Sequence, residues 1–197
     1  MARTVGSSAE VTRRRILDAA LELFIEQSYA GTPVRDIAER LGMTKASLYY
    51  HFASKEALLT ALAEPVIGEL DACARAAEAG GADPAELIRR VVDLFDDNRH
   101  LMRGMLYDAS ARKVLLEGQH MFDGLRRLER ALAGSSDAAD LLRARCAVGA
   151  IRGAVMTTED VNFVALNKLP PALGPQLSEE DRRTVTHAAL DVLARSP

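Results

Sequence analysis

The sequence predicts an all-α protein of about nine helices, in which an N-terminal three-helix unit containing a helix-turn-helix precedes a larger helical domain. Apolar residues account for 48% of the 197 residues and aromatic residues for only 5%, and tryptophan is absent. The core must therefore be built mainly from Leu, Ala, Val, Ile and Met, a composition typical of helical proteins. Apolar side chains also recur at the i, i+3, i+4, i+7 spacing of a helix face, between segments that end in Gly or Pro.

The first helix is predicted from about Thr12 to Gly31, behind a short polar arm at residues 1–8. Its apolar face consists of Ile16, Leu17, Ala20, Leu21 and Phe24. Three consecutive arginines, residues 13–15, would crowd its first turn and oppose the helix dipole. Such an arrangement is tolerated where an anion binds nearby, but a solvated basic turn would give the same pattern.

Two short helices joined by a tight turn are predicted next, in the segment TPVRDIAERLGMTKASLYYHFASK at residues 32–55. Thr32 is the expected N-cap and Pro33 the first helical residue. Gly42 can adopt the positive φ that the turn requires, and Thr44 can cap the second helix. The apolar residues have the spacing of a helix-turn-helix; they are Ile37, Ala38 and Leu41 in the first helix and Leu48 and Phe52 in the second.

The second of these helices is expected to expose a polar face once Leu48 and Phe52 turn inward. That face consists of Lys45, Ala46, Ser47, Tyr49, Tyr50 and His51. Hydroxyl, imidazole and ammonium groups can donate hydrogen bonds to phosphate oxygens, and small side chains near the helix N-terminus allow a close approach to base edges. The face therefore favours a nucleic-acid contact. In the alternative interpretation, the tyrosines cover a neighbouring helix and the histidine is incidental.

A family pattern runs through the same segment. Gly42 is followed by an apolar residue, a small polar cap and the run Leu-Tyr-x-His-Phe at residues 48–52, with Lys55 after it. Residues from Ala9 to about Leu62 thereby resemble the DNA-binding domain of the tetracycline-repressor (TetR) family of transcriptional regulators. The resemblance implies that Lys45, Ala46 and Ser47 approach bases and that Tyr49, His51 and Lys55 hold phosphates. The full set of expected DNA-binding residues is Arg35, Thr44, Lys45, Ala46, Ser47, Tyr49, Tyr50, His51 and Lys55.

Charge is unevenly distributed along the chain, whose formal net charge is -3. Residues 1–62 contain 8 Lys and Arg against 7 Asp and Glu, a surplus of +1, and the remainder contains 17 against 21, a deficit of -4. The basic surplus is too small for bulk electrostatics to hold DNA. Affinity must come from the placement of single groups and from a dimer that doubles the site.

A domain boundary is predicted near residue 55, between a DNA-binding domain at 1–55 and a ligand-binding and dimerisation domain at 56–197. Ser54 is expected to cap the helix that follows the boundary. Pro65 lies within that helix and should kink or divide it, because proline removes a backbone hydrogen bond. After Gly80 and Gly81, the residues Asp83, Pro84 and Glu86 form the N-cap, N1 and N3 set that begins another helix.

A dimer interface is predicted from the last two helices, at residues 137–163 and from Ser178 onward. Both have faces of small or apolar residues, so two copies could pair them into a four-helix bundle. The residues expected in this interface are Gly149, Gly153, Val185, Ala189, Val192 and Leu193. The alternative is that both faces serve only the core of one chain.

A cavity for a small-molecule effector between the middle helices is implied by the family resemblance. Its expected lining residues are Phe95, Met102, Arg103, Met105, Leu106, Tyr107, His120, Met121, Phe122, Leu125 and Met156. Methionines adapt to irregular ligands, but apolar residues at helical spacing also form ordinary core. An effector that binds preferentially to the conformation in which the two DNA-binding domains of a dimer are wrongly spaced would release the protein from a palindromic double-stranded operator. This behaviour is expected of a repressor.

Two other classes of function compete with this interpretation. Glu117 and His120 have the Glu-x-x-His spacing of di-iron helical bundles, but a second such pair is absent from the sequence. A non-catalytic interaction module with a degenerate helix-turn-helix is the other alternative. We expect neither an enzyme nor a bound cofactor or metal.

The cysteines and the hydropathy pattern bear on the cellular compartment. Cys73 and Cys146 lie far apart in apolar helical segments, so we expect buried reduced thiols rather than a disulfide, a metal site or a redox sensor. The sequence has neither a signal-peptide pattern nor a run of apolar residues long enough to span a bilayer. The expected location is the cytoplasm.

Overall fold

The computed structural model describes residues 5–102, 108–117, 121–156 and 176–194, with side chains described from residue 9 onward except at residues 121 and 122. The all-α prediction is confirmed within these ranges. The helices are α1 (Val5–Gly31), α2 (Val34–Arg40), α3 (Lys45–His51), α4 (Lys55–Glu78), α5 (Pro84–Asp97), α6 (Ala109–Glu117), α7 (Met121–Ala133), α8 (Ala138–Val155) and α9 (Glu179–Ala194). Residues 99–102 are also helical.

The chain divides into two compact units. Among the described residues, the first contains everything up to Glu64 together with 108–117, and the second begins at Pro65 and contains α5, α7, α8 and α9. The boundary lies inside α4, whereas the sequence places it near residue 55. The short helix α6 belongs to the first unit although it comes after α5 in the chain.

Helix α1 begins earlier than the sequence predicts. It starts at Val5, so the expected polar arm at residues 1–8 is partly helical. Ala9 and Glu10 are good helix formers, and the helix therefore continues upstream of the expected start at Thr12. Consequently, the arginines at 13–15 lie beyond the first turn and do not crowd the end of the helix dipole. The helix breaks before its end at Ser28, whose φ is 66°.

Thr32 and Pro33 each have a role one residue away from the prediction. Pro33 is the N-cap of α2 and makes no side-chain cap hydrogen bond, and Val34 is the first helical residue. The Thr32 side chain is fully buried, and its hydroxyl donates to the carbonyl oxygens of Leu23 (3.1 Å) and Ser28 (2.7 Å). Thr32 therefore satisfies carbonyl groups at the end of α1 and is not free to cap α2.

Helix α4 continues through Pro65 as a single helix, so the predicted division there is wrong. Ser54 begins α4 as expected, since its hydroxyl accepts from the Ala57 N–H at 3.1 Å. Ala61, Ala63 and Val66 are buried on either side of the proline. This packing holds the helix together despite the missing backbone hydrogen bond.

The second unit has α5 in its core. Its N-terminus matches the prediction, with Asp83 accepting from the Ala85 N–H at 3.0 Å and Pro84 as the first helical residue. Helix α9 packs against both α8 and α5, and α8 packs against α7. The buried residues of α5 are Leu87, Ile88, Val91, Val92, Phe95 and Asp96.

Asp96 is a buried carboxylate that the sequence pattern does not reveal, because it begins the polar run Asp-Asp-Asn-Arg-His at residues 96–100. Only 1% of its surface is exposed. Its oxygens accept from Arg182 of α9 at 2.7 Å and from the Leu177 N–H at 3.2 Å, and the Arg99 guanidinium lies 3.6 Å away. Arg182 also pairs with Asp93 at 2.7 Å. This network fastens the start of α9 to the end of α5.

Within the described residues, no helix is both long and apolar enough to cross a membrane.

Candidate nucleic-acid interface

The turn between α2 and α3 has the geometry that the sequence predicts. Gly42 adopts φ 63°, a left-handed conformation in which a side chain would be strained. Its N–H donates to the Glu39 carbonyl at 3.1 Å, and the next N–H, of Met43, donates to Ala38 at 3.0 Å. Thr44 is the N-cap of α3, and its hydroxyl accepts from the Ser47 N–H at 3.1 Å. These local bonds fix where α3 begins.

Helix α3 has a buried side and an exposed side. Leu48 is fully buried and Phe52, just after the helix, is 3% exposed. On the opposite side, Tyr50 is 87% exposed and Tyr49 is 40% exposed. The polar face of α3 consists of Lys45, Ala46, Ser47, Tyr49, Tyr50 and His51; all are exposed except His51, which is half-buried. The alternative in which the tyrosines cover a neighbouring helix is therefore wrong for Tyr50.

Neighbouring side chains order this face without covering it. The Lys45 ammonium lies 5.6 Å from the centroid of the Tyr49 ring, a cation–π distance. The Tyr50 and His51 rings meet edge to face, with their centroids 5.4 Å apart. The Lys45, Tyr49 and Tyr50 side chains remain exposed and His51 is half-buried, an arrangement in which this face can donate to an anion from outside.

Lys55, the first residue of α4, is held by an aromatic ring of α1. Its ammonium lies 4.3 Å from the centroid of the Tyr29 ring. Burial lowers the pKa of Lys55, an effect that the nearby carboxylates of Asp108 and Glu56 partly oppose. Burial, followed by the Glu56 carboxylate, raises the pKa of Tyr29 to about 12. The Tyr29 hydroxyl lies 3.5 Å from Glu56.

Arg35, the expected contact on α2, is exposed and paired within its own helix. Its guanidinium lies 3.3 Å from Glu39 and 3.6 Å from Asp36. These exposed pairs are weak. They leave Arg35 able to exchange a carboxylate for a phosphate, although its charge is partly neutralised.

Asp108 is a member of this unit that the sequence pattern missed. One of its oxygens accepts from the Ser110 and Ala111 N–H groups at the start of α6, at 2.8 and 3.1 Å. The other accepts from the Ala30 N–H at 2.8 Å, 78 residues away. Residue spacing cannot predict such a contact, but an Asp directly before a helix is an available N-cap signal.

Comparison with known proteins agrees with this geometry. Residues 16–62, which contain α2, α3 and parts of α1 and α4, match the family described as bacterial regulatory proteins, tetR family. This N-terminal region belongs to the tetR family. The TetR resemblance noted in the sequence is thereby confirmed, and with it the helix-turn-helix as the DNA-binding motif of the chain.

Individual relatives match the chain over different lengths. The HTH-type transcriptional regulator AcrR of Shigella flexneri is 37% identical over 95 residues, which are 47% of this chain and 43% of AcrR. The chain spans about half or less of the length of the curated relatives it matches. The family match itself lies at residues 16–62.

Solved structures match over nearly the whole chain. A transcriptional regulator from Aquifex aeolicus aligns with a TM-score of 0.65 at 22% identity, covering 92% of this chain and 97% of that one. The TetR family transcriptional regulator PfmR from Thermus thermophilus aligns with a TM-score of 0.59 at 27% identity, covering 92% and 100%. The fold is shared well beyond the matching sequence.

The residues expected to line an effector cavity are only partly described. Phe95, Met102 and Met156 are buried in the second unit, and Leu125 of α7 is half-buried. Met121 and Phe122 begin α7, but their side chains are not described. Arg103, Met105, Leu106, Tyr107 and His120 lie outside the described residues. Of the Glu117–His120 pair considered for a metal site, only Glu117 is described; it is exposed and lies 3.8 Å from the Lys113 ammonium.

The residues expected at a dimer interface differ in how accessible they are. Ala189 is fully enclosed by its own chain, and Val185, Val192 and Leu193 are half-buried. On α8, Gly149 is half-buried and Gly153 is exposed, and a methyl group added at either would meet no atom within 4 Å. Leu142, which is 60% exposed, lies on the same helical stripe.

Cys146 also lies on that stripe and is exposed, so the prediction that it is buried is wrong for the single chain. On this stripe, residues 142, 146 and 153 are exposed and Gly149 is half-buried, and the apolar pattern of α8 does not distinguish this side from the buried one. Cys73 is buried as expected, and this burial raises the pKa of its thiol.

Proposed function

We propose that this chain is a transcriptional regulator that binds a palindromic double-stranded DNA operator as a homodimer and is released from it by a small molecule. The observation that carries the proposal is the polar face of α3, which is exposed opposite the buried Leu48 and Phe52. None of its polar groups is needed to fold α3, whose cap is Thr44.

The contacts follow from where each residue lies on α3. Ala46 and Ser47 are small and near the helix N-terminus, where backbone can approach base edges in a major groove. Tyr49, Tyr50 and His51 lie further along, and their hydroxyl and imidazole groups suit phosphate oxygens. Lys45 and Lys55 add positive charge, and Lys55 is already oriented by the Tyr29 ring.

A homodimer supplies the affinity for DNA that a single DNA-binding domain lacks. The N-terminal part has a surplus of only one positive charge over residues 1–62, so two heads must act together. To read one face of the duplex, their α3 helices must lie about 34–36 Å apart, the spacing of successive major grooves. The stripe of α8 at Leu142, Cys146 and Gly149 has the small and apolar character that lets helices of two copies approach.

The effector would act by shifting a population of conformations. A molecule that binds better when the two heads are misplaced lowers operator affinity by the ratio of its affinities for the two states. Buried Phe95, Met102 and Met156 provide an adaptable apolar environment for such a molecule in the second unit. We propose repression in the cytoplasm as the outcome of operator binding.

A titration of labelled DNA from upstream of the protein's own gene tests the proposal. We expect preference over a shuffled duplex of equal composition, and a loss of affinity of roughly a thousandfold between low and moderate salt if about six to ten phosphates are contacted. Absence of binding, or equal and salt-independent binding to both duplexes, would contradict DNA recognition by α3.

A thermal-shift screen of small molecules tests the effector separately. A compound that raises the melting temperature by binding the folded dimer is expected to lower its affinity for the duplex identified above. If saturating concentrations of the stabilising compounds leave the affinity for DNA unchanged, a small molecule does not release this protein from its operator.

A further inference from the structure

We infer that Arg13 is the positioning residue that fixes the orientation of α3, and that it does so from behind the helix without contacting DNA. The inference deepens the proposed function, since it assigns a cause to the placement of the polar face. It rests on two contacts that a single guanidinium makes within the first unit.

The first contact is a hydrogen bond to the end of α3. Arg13 Nη1 donates to the backbone oxygen of His51, the last residue of the helix, at 3.1 Å. The last carbonyl groups of a helix lack intrahelical partners and bear partial negative charge. A guanidinium satisfies such a group and is attracted by its charge.

The second contact fixes the guanidinium itself. Its central carbon lies 4.1 Å from the centroid of the Phe52 ring, the side chain that follows α3 and is buried beneath it. Planar stacking on a ring is a property of arginine that lysine does not share. Arg13 therefore joins α1 to both the backbone and the buried side chain at the C-terminal end of α3.

Helix α3 needs such an anchor because it has only 7 residues. A helix this short has little stability of its own, and tertiary contacts determine its position. Thr44 fixes its N-terminal end and Leu48 its middle. Arg13 secures the end that carries Tyr49, Tyr50 and His51.

Arg14 provides a matched control on the same helix. Its side chain is 78% exposed, and its partner is Asp18 at 3.4 Å, also on α1. Arg14→Met removes the same charge as Arg13→Met and leaves α3 untouched. Any difference between the two variants then reports the contacts to His51 and Phe52.

Hydrogen exchange of the full-length protein without DNA is the first test. The Phe52 N–H, which donates to Leu48 at 3.0 Å, is expected to exchange roughly tenfold faster in Arg13→Met than in Arg14→Met. Arg13→Lys should give an intermediate rate, because it retains the cation and loses the stacking. Equal exchange in the two methionine variants would overturn the inference.

The second test uses a duplex selected by the wild-type protein from a randomised library. Arg13→Met is expected to lower the ratio of affinity for that duplex over a shuffled one by roughly tenfold, while the slope of log affinity against log salt stays within about 0.3 of wild type. A slope reduced by about 1.8, the loss of one phosphate contact in each of two subunits, would make Arg13 a phosphate contact and contradict the inference. If the wild-type protein selects no duplex, the proposed function fails, and the exchange comparison still decides whether Arg13 anchors α3.

Discussion

The Asp108 carboxylate accepts a hydrogen bond from the backbone N–H of Ala30 at 2.8 Å while capping α6 through Ser110 and Ala111. One side chain thus joins the end of α1 to the start of α6. We expect Asp108→Ala to lower the free energy of unfolding by about 1–2 kcal/mol, because it removes a helix cap and a second acceptor. Asp108→Asn retains an oxygen for the cap and should lose less. Urea denaturation at neutral pH measures both; equal stability of all three proteins would contradict this role.

A substitution at Tyr50 can alter DNA binding without altering stability, because this residue is 87% exposed. Tyr50→Ala is expected to change the free energy of unfolding by less than about 0.5 kcal/mol and to weaken operator binding by roughly tenfold, through loss of a hydrogen bond to a charged phosphate. Leu116→Ala, at an exposed residue of α6, is the control and should leave binding unchanged. Binding by Tyr50→Ala at wild-type affinity would remove this residue from the interface.

Leu48 and Tyr50 also show how much of the site could be predicted from sequence. Gly42, Thr44, Leu48 and Phe52 act through local geometry, and a turn, a cap and a four-residue spacing can all be recognised in the chain. The residues that fasten this motif to its surroundings could not be found that way. The bond from Arg13 to His51 spans 38 residues, and periodicity has no information on such pairs.

The errors along the chain have the same physical origin. Ser28 adopts a positive φ that glycine usually supplies, because Thr32 bonds its carbonyl and Gly31 bonds its hydroxyl. Pro65 remains within α4 because both sides of it are packed. Asp96 is buried because Arg182 is present on another helix. Tertiary contacts override the local preference in each case.

The raised pKa of Tyr29 predicts that the folded protein loses stability at alkaline pH. Its pKa is about 12 in the folded protein, against 10 without the surrounding structure, since burial and Glu56 oppose its ionisation and Asp108 adds to the effect. Lys55 is the cation that faces the ring. Below pH 10 the unfolded tyrosine is also protonated and the contribution is constant. Between pH 10 and 12 the unfolded state loses its proton first, so folding stability falls as pH rises.

The magnitude of this effect can be isolated with Tyr29→Phe. The wild-type protein is expected to lose up to about 2–3 kcal/mol more than Tyr29→Phe between pH 9 and the alkaline end of this range, measured by denaturant titration at several pH values. Parallel curves for the two proteins would show that Tyr29 ionises equally easily in both states.

Substitutions at Gly149 test whether α8 contacts its copy in a dimer. A methyl group there meets no atom within 4 Å, so Gly149→Ala should stabilise the helix by about 0.5–1 kcal/mol. Gly149→Trp is expected to hold two copies apart and weaken dimerisation by at least roughly tenfold in sedimentation equilibrium. Gly68→Trp, on the exposed side of α4 with equal space around it, is the control. Equal dimerisation of both tryptophan variants would place the interface elsewhere.

The most direct test of DNA recognition by paired α3 helices is a hydroxyl-radical footprint on a duplex selected by the wild-type protein. A symmetric pair of α3 helices predicts two protected regions with their centres about 10 base pairs apart, or a multiple of that, on one face of the duplex. Both should be largely lost together in Tyr50→Ala at a protein concentration close to the wild-type Kd. A single protected region, or two that persist in the variant, would contradict DNA recognition by paired α3 helices.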